Sequence, residues 1–341
     1  MGRAMTAPMI TVPPEWTEQA ALWVGWPHLR EEWGDALEAA RAEIAVFIET
    51  ASRAVPVKVA CGSDEAYASA ERALRDCQDR AVLHRVPAGD IWLRDTGPVF
   101  AETGTDRSAL CFQFNGWGGK FVMPGDTETA SAIAAAEQVK ATRHDFILEG
   151  GAVDFDGAGR LLTTRQCLLN PNRNPGWTEA IAEAALQRAF SVSQVIWLDQ
   201  GLRGDHTDGH VDNLARFIAP GQVVCQMASG TDDPNKERYD ACYDSLLKAG
   251  LNVTRIPSPG RIEDAGGQVA AASHMNFVIT NGLVILPTYE DVFSLRAVEA
   301  LDPLFPAHEI VPLPARAILA GGGSFHCMTR EVPKFPTRRT A

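Results

Sequence analysis

The feature that most constrains the fold is a repeated order of hairpin, helix and strand along the chain. Short β-like runs alternate with amphipathic helical stretches, and tight turns at 156–159, 220–221 and 281–282 join pairs of these runs as hairpins. The last three helical stretches begin near residues 177, 234 and 291, at intervals of about 57 residues. A period of this size is typical of a radial, propeller-like or solenoid array. The sequence therefore predicts one α/β domain over residues 1–341.

The helical stretches are recognised by the spacing of their apolar residues. They are predicted at Asp35–Arg53, Asp64–Asp79, Asp126–Thr142, Trp177–Phe190, Pro234–Ala249 and Asp291–Leu301. One of the β-like runs, Val211–Ile218, bears directly on function. If this strand begins beside His210, then His210 and Asp212 point to the same side.

Charge and cysteine content restrict the function classes. The chain has 31 basic and 43 acidic residues, a net charge of -12, which argues against nucleic-acid binding and suits a small cationic ligand. No apolar run approaches the roughly 18 residues of a membrane span. Seven cysteines without a C-x-x-C pair favour reduced thiols and a cytoplasmic protein, and Met1–Trp16 lacks a secretory signal pattern. Nothing in the sequence decides whether the chain forms a homo-oligomer.

Polar residues gather in five short segments at strand ends or in glycine-rich turns, where catalytic groups are usually displayed. The segments are Trp92–Pro98, Phe114–Lys120, Leu148–Gly151, Gly204–Asn213 and Gly321–Thr329.

Cys327 is the candidate nucleophile. Most free cysteines are inert, buried hydrophobic residues, and this interpretation suits the other six. Cys327 differs because three glycines, among them Gly322, precede it closely and allow a ligand to approach the backbone. A cysteine in this setting, next to His326, is a candidate for covalent catalysis.

Residues 206–212 offer two interpretations. The segment alternates histidine and aspartate as His206, Asp208, His210 and Asp212. In one interpretation His210 is a general acid/base beside a carboxylate that binds substrate, although a satisfied core histidine is the common alternative. In the other, the four residues bind a metal. The metal interpretation is weaker, because alternate residues of a strand lie about 6.6 Å apart whereas zinc ligands lie about 2 Å from the ion.

The remaining candidates are individually ambiguous. Asp95 and Glu149 are carboxylates at strand ends, where ion pairs, helix caps and solvated loops are the ordinary explanations. Trp92 and Trp117 would by default pack in the core. Beside a cationic substrate they could instead provide an apolar wall or a cation–π contact.

Taken together, these segments resemble the agmatine deiminase family and its relatives, the bacterial peptidylarginine deiminases. The matching pieces are Trp92–Pro98, Phe114–Gly119, Leu148–Gly151, Thr207–Asn213 and Gly321–Thr329, in the family's order, and Pro14-Glu15-Trp16 is also similar. The resemblance implies the pentein fold, five ββαβ units arranged around a pseudo-fivefold axis. It also implies hydrolysis of a guanidinium group, without cofactor or metal, in putrescine synthesis or agmatine catabolism.

The resemblance implies a role for each matched residue. By this resemblance, Cys327 would be the nucleophile, His210 the general acid/base and Glu149 the carboxylate that orients His210. The predicted substrate-binding residues are Asp95, Asp212, Trp92, Trp117 and Gly322. Asp95 and Asp212 would hold the guanidinium nitrogens by charge-assisted hydrogen bonds.

Two departures from the family pattern concern the substrate tail. Ser324-Phe325 precedes the His-Cys pair where the family usually has Asn-Ile, and His274 stands where it usually has tyrosine. The guanidinium chemistry is unaffected, but free arginine, peptidyl-arginine or another guanidino compound remains an alternative to agmatine. So do transfer of the amidino group to an amine and, from another class, a metallohydrolase built on residues 206–212 or a non-catalytic binding propeller.

Overall fold

A computed structural model describes residues 9–103, 106–289 and 292–335 of the chain. The strands of these residues form five β-sheets. The strands are β1 (Ile10–Thr11), β2 (Gln19–Trp26), β3 (Val57–Cys61), β4 (Ala81–Arg85), β5 (Val99–Thr103), β6 (Asp106–Gln113), β7 (Lys140–Ile147), β8 (Val153–Phe155), β9 (Arg160–Thr164), β10 (Gln194–Leu198), β11 (Ala215–Ala219), β12 (Gln222–Met227), β13 (Asn252–Pro257), β14 (Val278–Ile279), β15 (Leu283–Thr288), β16 (Glu309–Pro314) and β17 (Thr329–Pro333).

Helices alternate with these strands, so the fold is mixed α/β, as predicted. They are α1 (Arg30–Trp33), α2 (Leu37–Ala51), α3 (Asp64–Ala73), α4 (Leu93–Thr96), α5 (Gly116–Gly119), α6 (Asp126–Ala136), α7 (Arg165–Leu168), α8 (Glu179–Phe190), α9 (Lys236–Lys248), α10 (Ser294–Leu301) and α11 (Arg316–Leu319). Within the described ranges, no helix is long and apolar enough to cross a membrane.

Each sheet is built from the same unit. An antiparallel pair of strands is followed by a helix and by a third strand that runs parallel to the second, as in β8, β9, α8 and β10. The units that begin at β5, β11 and β14 repeat this order. The predicted repeat of hairpin, helix and strand is therefore confirmed. Its physical basis is that a parallel strand needs a long crossover, which a helix provides while covering the sheet.

The fifth sheet joins distant parts of the chain. Strand β17 pairs antiparallel with β2, which continues in parallel to β3 and β4. Helix α2 covers this sheet with a stripe of fully buried residues at helical spacing, Ala40, Ile44, Phe47, Ile48 and Ala51. The turn that carries Cys327 is thereby held against the first long strand.

Several predicted boundaries were wrong. The helix predicted at 64–79 ends at residue 73. The helix at 126–142 ends at residue 136, and residues 140–147 form β7 instead. The strand predicted at 211–218 begins only at residue 215, because residues 211–213 form a 3-10 turn. The helix predicted at 291–301 begins at residue 294, and residue 291 itself lies outside the described residues.

The polar segments occupy equivalent places in the five units. Residues 92–98, 148–151, 204–213, 274–276 and 321–328 each come directly before the strand that opens a sheet, namely β5, β8, β11, β14 and β17. Four of these five segments were singled out in the sequence. The repeat thus presents one set of polar residues per unit at the same kind of position.

Candidate active site

Cys327 lines a cavity of about 130 Å³. The predicted residues that line it are Cys327, Asp95, Trp92, Trp117 and Gly322. Five of the eight predicted site residues are therefore on its wall. The other three, Glu149, His210 and Asp212, are fully buried behind it.

Glycine backbone forms one side of the cavity next to the thiol. A Cβ atom at Gly323 would lie 2.6 Å from the Trp92 ring and 3.2 Å from Cys327 Cβ. Gly322 has φ of +102°, in the left-handed region that glycine adopts without strain. These glycines let the backbone approach the indole and the thiol closely. The predicted approach of a ligand to the same backbone stays a prediction.

Asp95 is held in place by two donors. Its Oδ1 accepts a hydrogen bond from the Gly151 amide at 2.9 Å, and its Oδ2 accepts one from Trp117 Nε1 at 2.8 Å. Trp117 reaches this position from a left-handed turn with φ of 52°, an uncommon conformation for a non-glycine residue. The Arg94 amide donates to the Cys327 carbonyl at 3.0 Å, which ties helix α4 to the nucleophile turn.

His210 and Asp212 do not share a strand, so the predicted reason for their common direction was wrong. Asp208 and Gly209 have positive φ angles of 65° and 95°, which turn the chain before the 3-10 turn. The two side chains nevertheless converge. A Cβ atom at Gly151 would lie 2.6 Å from His210 Nδ1, 2.9 Å from Asp95 Oδ1 and 3.1 Å from Asp212 Oδ2.

Glu149 has a different partner from the one predicted. Its Oε1 accepts a hydrogen bond from Arg173 Nε at 2.6 Å, and both side chains are fully buried. Glu149 Oε2 and both ring nitrogens of His210 have no hydrogen-bond partner within the described part of the chain. Glu149 therefore stands near His210 without a hydrogen bond to it, and Arg173 is its ion-pair partner.

The charges around His210 decide its protonation. Burial alone would favour the neutral ring, but the neighbouring Asp95, Cys167 and Glu149 together raise the pKa of His210 well above its ordinary value. Burial also raises the pKa of the Cys327 thiol well above its ordinary value, and the negative charges of Asp212 and Asp95 add to this effect. Before substrate binds, the site therefore contains the Cys327 thiol, the His210 imidazolium and the side chains of Asp95 and Asp212.

Asn276 is a site residue that the sequence reasoning missed. Its Nδ2 donates to Cys327 Sγ at 3.2 Å, while its Oδ1 accepts from the amides of His326 and Cys327 at 2.9 and 3.2 Å. Asn276 precedes β14, at the position where the other units carry their polar segments. That equivalence is the signal that points to it.

His274, which the sequence offered for the substrate tail, lies elsewhere. It is fully buried, and its ring nitrogens contact the Pro257 carbonyl at 2.8 Å and Ser294 Oγ at 3.2 Å. It is not among the residues that line the cavity. Ser324 is also buried and outside the lining.

The proposed metal site at residues 206–212 does not form. Asp208 pairs with Arg173 and Lys120, and Asp212 contacts His326, whereas His206 lines the cavity. Over the described ranges, the one set whose ligand atoms lie within 4.8 Å of one another is Glu149, Cys167 and His210. A metal there would have to displace protons from a thiol and an imidazole whose pKa values are both raised, beside the cationic Arg173.

Comparison with known proteins agrees with this geometry. The sequence pattern of the Porphyromonas-type peptidyl-arginine deiminases matches residues 11–333. An agmatine deiminase of Stutzerimonas stutzeri is 36% identical, over 94% of this chain and 95% of that protein.

Solved structures give the same result. A C. jejuni agmatine deiminase with substrate bound superposes with a TM-score of 0.90 at 28% identity, covering 98% of this chain and 99% of that one. The agmatine deiminase of Enterococcus faecalis also gives 0.90, at 30% identity and with 98% and 100% covered. The resemblance in the sequence is thus confirmed: the chain belongs to the agmatine deiminase family, within the Porphyromonas-type peptidyl-arginine deiminases.

Proposed function

We propose that the protein hydrolyses agmatine to N-carbamoylputrescine and ammonia, without a cofactor. The observation that carries this proposal is a single cavity with Cys327 and Asp95 in its lining together with two further acidic residues, Asp90 and Glu32. Between the charged groups the walls are aromatic, with Trp33 and Trp92 stacked at 6.1 Å. A guanidinium and an ammonium joined by an apolar spacer match this arrangement of charge and surface.

The acidic wall also distinguishes agmatine from its nearest alternatives. Free arginine carries a carboxylate close to its amino group, and this anion would lie in the field of Asp90 and Glu32. Peptidyl-arginine would bring a peptide chain into a cavity of about 130 Å³. Agmatine has neither a carboxylate nor a peptide chain, so the cavity favours agmatine over free arginine and peptidyl-arginine.

In the proposed mechanism, the guanidinium binds between Asp95 and Asp212. Its positive charge offsets the two carboxylates that raise the pKa of Cys327, so that the thiol releases its proton to solvent and the thiolate forms when substrate is present. The thiolate attacks the central carbon of the guanidinium. His210, which is protonated at neutral pH, gives its proton to the departing nitrogen, and ammonia leaves.

The covalent thiouronium that remains is hydrolysed in a second step. Neutral His210 takes a proton from a water molecule, whose oxygen attacks the same carbon. Collapse of this second tetrahedral adduct breaks the bond to sulfur, and the proton of its hydroxyl group passes to the departing sulfur. The ureido product is released and the Cys327 thiol is restored. Glu149, buried close to His210, stabilises the charged imidazolium by its own charge rather than by a hydrogen bond.

The finer architecture belongs to the same proposal. We expect the five units to stand around a pseudo-fivefold axis, as one domain, with the polar segments that precede β5, β8, β11, β14 and β17 facing the axis. Physiologically, the ureido product is a carbamoylated diamine, which would serve putrescine synthesis or agmatine breakdown.

The test is product formation by the purified protein and by two cysteine variants. Agmatine, arginine and a blocked arginyl peptide are supplied separately, and ureido product and ammonia are measured. We expect turnover of agmatine in preference to the others, abolished by Cys327→Ala and retained by Cys242→Ala, a control at a buried thiol outside the cavity. Preference for arginine or the peptide would replace the substrate, and no ureido product from any of them would refute the deiminase assignment.

A further inference from the structure

His326 lies between two buried carboxylates. Its Nδ1 is 2.7 Å from Asp212 Oδ2, and its Nε2 is 2.9 Å from Glu15 Oε2. All three side chains are at most 6% exposed. An ionised carboxylate can only accept a hydrogen bond, so the two contacts need two protons, which the three groups share.

Asp212 is thereby left with one oxygen for substrate. His326 occupies Oδ2, whereas Oδ1 is buried and has no hydrogen-bond partner among the described residues. Asp212 Oδ2 also lies 3.8 Å from Cys327 Sγ, so the carboxylate sits directly beside the nucleophile. Rotation of Asp212 about its side-chain bonds would exchange the occupied oxygen for the free one and break the contact with His326.

The far end of this chain of contacts is fixed by Glu15. Its Oε1 accepts a hydrogen bond from the Ile279 amide at 2.8 Å, and its Oε2 forms an ion pair with Arg216. Arg94 Nη2 lies 3.8 Å from the same oxygen. The guanidinium groups of Arg216 and Arg94 hold Glu15 in place. Because His326 Nε2 contacts this fixed carboxylate, the ring is kept with Nδ1 against Asp212.

We propose that His326 is a positioning residue for the guanidinium site: anchored by Glu15, it holds Asp212 so that Oδ1 meets the substrate. This inference rests on the proposed function and assigns a role to the Pro14-Glu15-Trp16 segment. Glu15 acts across 311 residues of sequence on the residue next to the nucleophile. Hydrogen bonding from His326 also draws charge from Asp212 and lessens its repulsion of the thiolate.

Two variants separate positioning from mere filling of space. In His326→Asn, the side-chain amide can take the place of Nδ1 and donate to Asp212. In His326→Gln, the amide extends to the place of Nε2, where it reaches Glu15 but not Asp212. The matched controls are the same two substitutions at His274, a buried histidine outside the cavity.

We expect the glutamine variant to lose about 100-fold in kcat/KM for agmatine, mainly through KM, because a hydrogen bond to a charged group in the substrate site is lost. The asparagine variant should lose about tenfold or less. Equal losses in both His326 variants, matching their losses of thermal stability and those of the His274 controls, would show a purely structural role. Unchanged KM in the glutamine variant would also overturn the proposal.

A second measurement tests the positioning role of His326 without depending on the hydrolysis of agmatine. The alkylation rate of Cys327 is measured with cationic chloroacetamidine and with neutral iodoacetamide. We expect the ratio of cationic to neutral rate to fall about tenfold or more in His326→Gln and to stay near the unmodified value in His326→Asn. Failure of the unmodified protein to hydrolyse agmatine would refute the function alone, while an unchanged ratio in both variants would refute the positioning role.

Discussion

Replacement of Asp90 by asparagine tests how the cavity holds the substrate tail. Asp90 is 6% exposed and accepts a hydrogen bond from Trp33 Nε1 at 2.9 Å. Burial raises the pKa of Asp90 from 3.8 to about 7, because one indole hydrogen bond and nearby backbone do not replace the lost water, and Asp126 adds negative charge. The asparagine side chain keeps the shape and the acceptor for Trp33 but removes the charge.

The expected loss of activity follows from one charge-assisted contact. A hydrogen bond to a charged group contributes about 1.5–3 kcal/mol, which corresponds to a loss of about 10- to 150-fold in kcat/KM for agmatine at pH 8. Because Asp90 must be ionised to pair with the ammonium, kcat/KM of the unmodified protein should rise as pH increases through about 7. Asp90→Asn should lack this rise.

The same change should increase stability above neutral pH. An unfolded Asp90 ionises near 3.8 and the folded one near 7, so ionisation in the folded protein costs up to about 4 kcal/mol. Since the folded pKa is raised, the free energy of unfolding falls as pH rises from about 4 to about 7 and stays reduced above that. Asp90→Asn removes this cost, so the variant should melt higher than the unmodified protein at pH 8 and not at pH 4.

The assay compares agmatine with butylguanidine, which has the same spacer and no ammonium group, from pH 5.5 to 9. Glu32→Gln is the comparison variant. Glu32 lines the same cavity but is exposed to solvent, so removal of its charge should lower kcat/KM less than removal of the Asp90 charge does. If Asp90→Asn left the ratio of the two substrates unchanged, the tail would not be held by Asp90. If it also failed to raise the melting temperature at pH 8, the reasoning from burial would be refuted.

Three further changes probe the rest of the site. Arg173→Ala should destabilise the protein by about 3–5 kcal/mol in denaturant unfolding, because it leaves Glu149 buried and unpaired; a smaller loss in the double variant with Glu149→Gln would identify the charge as the cause. Asn276→Ala should slow alkylation of Cys327 by about ten- to a hundredfold at fixed pH, since the thiolate loses a donor, and an unchanged rate would remove Asn276 from the nucleophile's environment. Gly151→Ala should abolish most turnover and lower the melting temperature, because the new methyl group displaces the buried His210 ring; full activity would contradict the described geometry.

The sequence predicted elements well where periodicity is distinctive and failed where it is not. Strand β2, at 19–26, is buried on almost every residue, and a continuous apolar run fits a buried strand or a buried helix equally. Strand β7 was not predicted for the opposite reason. It lies at an edge of its sheet and none of its eight residues is fully buried, so its polar residues extend the pattern of the preceding helix.

The site was predictable to the extent that its residues are chemically distinctive and lie next to glycines. Cys327 was singled out on that basis, whereas His210 and Asp95 were assigned roles only through the resemblance to the family. The partnerships were not predictable, because each joins remote segments: 51 residues separate Asn276 from Cys327. The local sequence around each residue does not predict such contacts. The repeated position before the first strand of each unit does, and it indicates Asn276 as a site residue.

The pairing of β17 with β2 also has a consequence for the time at which activity can arise. Of the described strands, β17 is the last to be synthesised, yet its partner β2 is among the first. Until β17 arrives, β2 presents an unpaired edge, and Cys327 has no fixed place beside Asp212 and Asn276. Reactivity of the thiol with a cationic alkylating agent therefore reports that β17 has been synthesised and has paired with β2. A stalled or clipped chain that lacks β17 contains most of the binding residues but should not catalyse the reaction.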